Sequence, residues 1–268
     1  GIFTIVSLCV IQACSRNIEP VDAIFSEYMG EKPGASVMVI HQGKVLVQRS
    51  YGLADMENLS EVTPLTNFRL ASATKQFTAM GILQLMDRNQ LSFETSLLEI
   101  FPELPPYAAE IHYGHLLHHQ SGIISYEDLI PDSATIPVHD ADVLELIMSQ
   151  DSTYFAPGTT YRYSNGGYAL LALTVERLSG LPFPEYLDKY IFTPIGMEKS
   201  VAYVEGMNTI PHRAFGYHLA GDTFQFSDQS MTSSVLGDGG IYSSITDLFK
   251  WDQALYSDKL LSRALLDS

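Results

Sequence analysis

The feature that most constrains the fold is a change of sequence pattern after the first fifty residues. Two runs rich in β-branched residues, ASVMVI and KVLVQRSYG, are separated only by HQG, and this pattern predicts a β-hairpin. Beyond it, apolar residues recur at helical spacing, most clearly over Phe77–Asp87 and in GYALLALTVERLSG. The same spacing predicts helices over Val21–Met29, over Ala141–Ser149 and in ITDLFKWDQALYS. A hairpin followed mostly by helices predicts an α+β fold.

Composition limits the size of the fold and the kind of partner. The chain has 268 residues, of which 46% are hydrophobic and 17% charged, so it can bury the core of one large domain or of two tightly packed ones. The formal net charge is −16, which argues against a nucleic acid partner because phosphate backbones require a basic surface. We expect a small-molecule or peptide substrate.

The N-terminal segment resembles a lipoprotein signal. The apolar run GIFTIVSLCV has signal-peptide length and is too short to span a bilayer as a helix. It is followed by IQAC, which is similar to the lipobox of bacterial lipoproteins, with Cys14 as the lipidated residue. The alternatives are a plain secretory peptide and a buried N-terminal strand. We expect a signal segment over 1–14 and a folded domain over 15–268.

This interpretation predicts a bacterial envelope protein, in the periplasm or at the outer membrane, that touches the membrane only through a lipid on Cys14. The sequence starts at Gly1 without an initiator Met or a preceding basic residue, so we expect that some N-terminal residues are missing. If Cys14 is lipidated, no cysteine remains to form an internal disulfide.

A serine and a lysine stand three residues apart at the start of the clearest helix, in FRLASATKQFTAM. At helical spacing, Ser72 and Lys75 lie on one face with Cβ atoms about 5–6 Å apart. A serine there can be a nucleophile activated by the lysine, and its own N–H at the helix start can stabilise a developing oxyanion. The alternative is that Ser72 caps the helix and Lys75 is solvated in its first turn.

A tyrosine and an asparagine precede another apolar helix, in PGTTYRYSNGGY. Beside an ammonium group, Tyr163 could share or release its phenolic proton and act as a base toward Ser72. Asn165 could orient Lys75 and bind a substrate amide. The alternative is that Tyr163 belongs to the core and Asn165 caps the helix.

Other catalytic motifs are weaker or absent in the sequence. Four histidines lie within one short stretch (His112, His115, His118 and His119), but HExxH is absent and no acidic residue lies among them. The sequence also lacks Gly-x-Ser-x-Gly, the nucleophile elbow of α/β-hydrolases, and any phosphate-binding glycine loop. We therefore expect no metal and no cofactor.

Five segments, in their order along the chain, resemble the serine β-lactamases and penicillin-binding protein-like hydrolases. The resemblance is greatest to the class C branch, which uses Tyr-x-Asn where class A has Ser-Asp-Asn. The segments are FRLASATKQFTAMGILQLMDRNQLS, HLLHHQSGI, APGTTYRYSNGGYALLALTVERLSG, IFTPIGMEKS and GDGGIYSSITDLFKW.

The resemblance implies a β-lactamase/transpeptidase-like fold, in which an antiparallel sheet flanked by helices joins a helical region and the active site lies between them. It implies that Ser72 forms an acyl-enzyme while Lys75 and Tyr163 move the proton. Asn165 would position Lys75 and the substrate. The likeness of HLLHHQSGI to a loop of the family implies that His115 and His119 are structural.

One motif of that family has no counterpart in the expected place. The family carries Lys-Thr-Gly or His-x-Gly on a later strand, whereas the His-x-Gly of this sequence, His41-Gln42-Gly43, precedes Ser72. We therefore expect that the sequence is also incomplete at its C-terminus. The resulting sheet edge would be exposed, which predicts poor solubility or partial folding. In the complete protein we expect a monomer.

The substrate depends on loops rather than on the catalytic motif. We expect Ile124–His139 and Val201–Ser230 to line the pocket. Acidic residues in the first of these loops, among them Glu127, would repel the carboxylate shared by β-lactams and peptide C-termini. This favours an esterase or a D-amino-acid peptidase, with slow β-lactam hydrolysis. The alternative function is a non-catalytic penicillin- or cell-wall-binding lipoprotein of the same fold.

Overall fold

The computed structural model describes residues 20–266. The predicted signal segment and Cys14 lie outside the described residues. Across residues 20–266, the structure contains no helix that is both long and apolar enough to cross a lipid bilayer.

The strands are short and form four small antiparallel sheets within the described residues. β1 pairs with β2, β3 with β4, and β7 with β8, while β9 lies between β5 and β6 in a three-stranded sheet. The strands are β1 (Ala35–His41), β2 (Lys44–Tyr51), β3 (Leu53–Asp55), β4 (Ser60–Glu61), β5 (Phe68–Arg69), β6 (Val201–Ala202), β7 (Tyr217–Ala220), β8 (Thr223–Phe226) and β9 (Ile241–Ser243).

Most of the chain between β5 and β9 is helical or irregular, and it includes 3₁₀ turns at Ala71–Thr74, Pro106–Glu110 and Tyr126–Leu129. The α-helices are α1 (Pro20–Ile24), α2 (Lys75–Asp87), α3 (Leu97–Ile100), α4 (Tyr113–Leu117), α5 (Asp140–Met148), α6 (Asn165–Ser179), α7 (Phe183–Leu187), α8 (Thr193–Ile195), α9 (Leu236–Gly239), α10 (Ile245–Ala254) and α11 (Arg263–Leu266).

The core is built around α2 and α6, most of whose apolar residues are buried. Phe77, Ile82 and Leu85 of α2 and Leu170 and Leu171 of α6 all lie within one continuous hydrophobic cluster. Burial of such side chains contributes roughly 1.5–3 kcal/mol each. Because α2 packs directly against α6, the polar residues at the starts of the two helices are brought together.

The structure confirms the hairpin and most of the predicted helices. β1 and β2 pair in register except for an irregularity between Val39 and Ile40. The helix expected over Val21–Met29 is wrong in extent, because α1 ends at Ile24 and a separate 3₁₀ turn follows. Between the two, the ring of Phe25 stacks on that of Tyr51, with centroids 5.4 Å apart. Such a contact with a distant strand is invisible to local periodicity.

Candidate active site

Ser72 lies in the 3₁₀ turn that leads directly into α2, and Lys75 is the first residue of that helix. Ser72 is exposed, whereas Lys75 is buried. Lys75 Nζ lies 3.3 Å from Ser72 Oγ. The capping interpretation of Ser72 is wrong, because Thr74 is the residue before α2 and the Ser72 hydroxyl bonds to Lys75 and Tyr163 instead.

The backbone just before the serine has an uncommon conformation. Ala71 has a φ of 46°, in the left-handed region that residues with a Cβ rarely adopt. Such a conformation costs on the order of 1 kcal/mol or more and persists where surrounding structure imposes it, which is frequent at functional sites. The turn thereby presents Ser72 at the surface while the next residues enter the core.

The ammonium group of Lys75 has three oxygen partners. Besides Ser72 Oγ, its Nζ donates to Asn165 Oδ1 and to the main-chain oxygen of Asp238, both at 2.8 Å. The nitrogen has three tetrahedral directions besides its bond to Cε. Two of them point to Asn165 and Asp238, and the third faces Ser72. That direction carries an N–H in the charged amine and a lone pair in the neutral amine. Lys75 is therefore oriented to exchange a proton with Ser72.

Tyr163 is the second group that contacts the serine hydroxyl. Its phenolic oxygen donates to Ser72 Oγ at 2.7 Å, and its ring lies 4.9 Å from Lys75 Nζ. The side chain is 46% exposed, so the interpretation of Tyr163 as a core residue is wrong. Its ring packs against that of His119, with centroids 4.5 Å apart.

Asn165 is the first residue of α6, and the cap of that helix is its neighbour. Ser164 Oγ accepts the N–H of Gly167 at 3.0 Å, so the interpretation of Asn165 as a cap is wrong. The Asn165 amide bridges two charged groups: its oxygen accepts from Lys75, and its nitrogen donates to Glu127 Oε1 at 2.6 Å.

The structure thus brings together the four side chains that the sequence singled out and adds two acidic groups. Glu127 comes from the loop that was expected to line the pocket. Asp238 was missed, although an acidic residue within the glycine-rich segment GDGGI was a visible signal. The Asp238 carboxylate is buried and accepts the hydroxyl of Tyr126 at 2.9 Å. Burial raises the pKa of Asp238 to about 6, and the nearby Lys75 opposes that shift.

A second buried carboxylate, Asp140, supports the same segment from α5. Its two oxygens accept the N–H groups of Leu236 and Gly237 at 2.7 and 3.0 Å. Burial raises the pKa of Asp140 to about 7, partly offset by those two hydrogen bonds. Asp140 therefore holds the start of α9, the short helix that contains Asp238.

Asp140 gives a prediction about stability. The pKa of Asp140 is about 7 in the folded chain and about 3.9 when unfolded. Between these values the folded chain retains a proton that the unfolded chain has lost, so this residue's contribution to the free energy of unfolding increases as pH falls. We expect the stability of the parent relative to Asp140→Asn to rise by about 1 kcal/mol per pH unit from about pH 7 down to about pH 4. Denaturant titrations across this range measure it, and parallel pH profiles would contradict the assignment.

Two of the four clustered histidines accept hydrogen bonds from backbone N–H groups. His115 Nδ1 accepts the N–H of His112 at 3.2 Å, and His119 Nδ1 accepts the N–H of Ser164 at 3.1 Å. Burial lowers the pKa of both imidazoles, which favours the neutral form that can accept. Within residues 20–266, the structure shows no group of three His, Cys, Asp or Glu side chains arranged to hold a metal ion.

The family model described as Beta-lactamase matches residues 21–268. The chain belongs to the β-lactamase family. Family membership carries the β-lactamase/transpeptidase-like fold and places the chain among serine hydrolases. The predicted fold class and the resemblance on which it was based are thereby confirmed.

Three similar proteins, each with a different name, illustrate the kinds of protein that this chain resembles. Penicillin-binding protein 4* of Bacillus subtilis is 32% identical over 90% of this chain and 57% of its own length. A D-aminopeptidase of Gluconobacter oxydans is 30% identical over 87% of this chain and 44% of its own length. The crystal structure of D-amino acid amidase from Ochrobactrum anthropi SV3 matches 91% of this chain and 70% of its own, with a TM-score of 0.77 and 25% identity. The chain spans about half the length of the two curated relatives.

Proposed function

We propose that this protein hydrolyses amides and esters through an acyl-enzyme on Ser72. The observation that carries the proposal is the position of the exposed Ser72 Oγ, 2.7 Å from the Tyr163 hydroxyl and 3.3 Å from Lys75 Nζ. A nucleophile within hydrogen-bond reach of two groups that can exchange protons is the arrangement that covalent catalysis requires.

The proposed reaction has two stages. With Lys75 as the neutral amine, Ser72 Oγ attacks the substrate carbonyl carbon as its proton passes to Lys75, and the N–H of Ser72 is the candidate donor to the oxyanion. Collapse of the tetrahedral intermediate breaks the bond to the leaving amine or alcohol, which takes the proton of the Tyr163 hydroxyl while Lys75 returns its proton to Tyr163. Water then attacks the ester on Ser72, the same groups carry its proton, and the acid is released with Ser72 restored.

We further propose that the preferred substrates are D-amino acid derivatives with a free amino group. The Glu127 carboxylate lies next to Asn165, within hydrogen-bond distance of its amide nitrogen. It makes that side of the site electronegative, which favours a substrate ammonium and opposes a substrate carboxylate. The names of two similar proteins, a D-aminopeptidase and a D-amino acid amidase, support the same class.

A panel of substrates tests this proposal. We expect hydrolysis of D-alanine p-nitroanilide and D-phenylalanine amide to exceed that of their L forms and of a chromogenic cephalosporin, with p-nitrophenyl butyrate as the neutral ester. Fast turnover of the cephalosporin alone would overturn the substrate assignment. Ligand binding without turnover of any compound, and without an adduct on Ser72, would favour the non-catalytic binding protein.

Glu127→Gln tests the electrostatic part of the proposal. Glutamine keeps an oxygen for the Asn165 amide but removes the charge. We expect kcat/KM for the amine-bearing substrates to fall about 10-fold, since a hydrogen bond to a charged group contributes about 1.5–3 kcal/mol. Hydrolysis of the neutral ester is expected to change little.

The control is Asp128→Asn. Asp128 is the neighbouring acid of the same loop, and its carboxylate accepts the hydroxyl of Tyr154 rather than a group of the site. We expect its replacement to affect amine-bearing and neutral substrates alike. An equal effect of Glu127→Gln on both substrate types would remove Glu127 from substrate selection.

A further inference from the structure

Two adjacent residues of one loop bind the two groups that hold Lys75. The hydroxyl of Tyr126 donates to the carboxylate of Asp238, whose main-chain oxygen accepts from Lys75. Glu127 accepts from the amide of Asn165, whose oxygen accepts from Lys75. The turn Tyr126–Leu129 is thus linked to the catalytic lysine by two separate chains of hydrogen bonds, one through Asp238 and one through Asn165.

We propose that Tyr126 is a positioning residue which orients Lys75 through Asp238. The inference rests on the proposed hydrolase function and adds to it a residue that contacts neither Ser72 nor Lys75 directly. Orientation matters because a misplacement of about 1 Å at a catalytic group can cost as much as 100-fold in rate.

The surroundings of Asp238 explain why one hydroxyl has this influence. The peptides before it are held by other groups: Asp140 accepts the N–H of Gly237, and Thr78 Oγ1 donates to the oxygen of Gly237 at 2.7 Å. The side chain of Asp238 itself is held by Tyr126. Loss of that bond leaves the Asp238 peptide as the least restrained part of the segment, and this is the peptide whose oxygen contacts Lys75.

Burial makes the bond between Tyr126 and Asp238 strong. Tyr126 is 1% exposed and Asp238 is 7% exposed, and a hydrogen bond between a hydroxyl and a carboxylate is strengthened where water is excluded. An unmatched buried carboxylate costs more than an unmatched exposed one. We therefore expect the hydrogen bond between Tyr126 and Asp238 to persist during turnover.

The bond also affects the ionisation of Asp238. Five groups face its carboxylate: Lys75 from α2, Arg69 from β5, Asp140 from α5, and Tyr126 and Glu127 from the loop. Burial and Glu127 raise the pKa of Asp238, while the two cations and the Tyr126 hydroxyl lower it. Removal of the hydroxyl therefore raises the pKa of Asp238, and its negative charge near Lys75 is lost at a higher pH.

Tyr126→Phe tests the proposal, with Tyr113→Phe as a matched control. Tyr113 is also fully buried, and its hydroxyl bonds to Thr174 at 2.7 Å, away from the catalytic side chains. We expect Tyr126→Phe to lower kcat about 10-fold with KM within about twofold, and to move the acid limb of the kcat profile to higher pH. We expect Tyr113→Phe to leave both the profile and kcat close to the parent values.

A second measurement does not depend on turnover. Carbon NMR of the Asp238 carboxyl group follows its titration in the parent and in both variants, and we expect a rise of about one pH unit for Tyr126→Phe alone. An unchanged midpoint or an unchanged kcat in a folded Tyr126→Phe protein overturns the positioning role. If Tyr126→Phe shows the NMR shift but the parent hydrolyses nothing, the proposed function fails while the link between Tyr126 and Asp238 stands.

Discussion

Replacement of Lys75 by methionine is expected to lower kcat/KM by about 10²- to 10⁴-fold, the usual contribution of a positioned general acid or base. Methionine keeps an unbranched apolar stem in the buried position. It removes the amine that lies 3.3 Å from Ser72 Oγ and that binds Asn165 and Asp238. Steady-state kinetics and the rate of covalent labelling by a fluorophosphonate measure the loss.

Two variants complete this experiment. Lys250→Met is the control, because Lys250 forms a salt bridge with Asp247 on α10, outside the site, and we expect near-parental kinetics. Ser72→Ala should eliminate the adduct on the peptide that contains residue 72. Labelling that persists in Ser72→Ala, or a Lys75→Met enzyme with parental rates, would contradict the assigned roles.

Replacement of Gly237 by alanine is expected to lower the free energy of unfolding by about 3 kcal/mol, the upper part of the usual range for overpacking. A Cβ at this position would overlap the main-chain oxygen of Tyr168 and lie 2.7 Å from the Cβ of Ala172, both on α6. A helix backbone cannot yield as a flexible side chain can, so α9 must move away from α6. Thermal and denaturant unfolding measure the loss.

Gly114→Ala is the matched control for Gly237→Ala. Gly114 lies on α4, and an added Cβ would meet Phe93 at 3.5 and 3.8 Å, which is ordinary van der Waals contact. We expect this variant to be about as stable as the parent. If both alanine variants unfold at the parental midpoint, close packing between α9 and α6 is not a source of stability.

Sequence alone predicted the parts of the fold whose signals are local. The hairpin carries two runs rich in β-branched residues around a short turn, and α2, α5, α6 and α10 carry apolar residues at helical spacing. Ser72, Lys75, Tyr163 and Asn165 were identifiable because each lies in a short motif at the start of an apolar helix. The competing interpretations, a capping serine and a core tyrosine, could be excluded only by geometry.

The groups that hold Lys75 could not be found in the same way. The acidic residue in GDGGI is visible in the sequence, but Asp238 binds Lys75 through its main-chain oxygen, which every residue possesses, so no side-chain pattern predicts that contact. Glu127 was recognised as a charge in a pocket loop, but its bond to Asn165 joins positions 38 residues apart. The hydrogen bonds from Lys75 to Asn165 and to Asp238 therefore depend on how α2, α6 and α9 pack, which is a property of the tertiary structure.

The wide separation of these contacts has a consequence for how the chain acquires reactivity. Lys75 is 90 residues from Asn165 and 163 residues from Asp238, and the entropic cost of closing a loop grows with its length. Helices such as α2 and α6 can form early from local interactions, whereas contacts of such long range are typical of late steps in folding. In a partly folded chain, Ser72 would be an ordinary hydroxyl without an oriented partner. Acylation at this serine would then report that folding is complete, and a nascent or misassembled copy would be chemically inert.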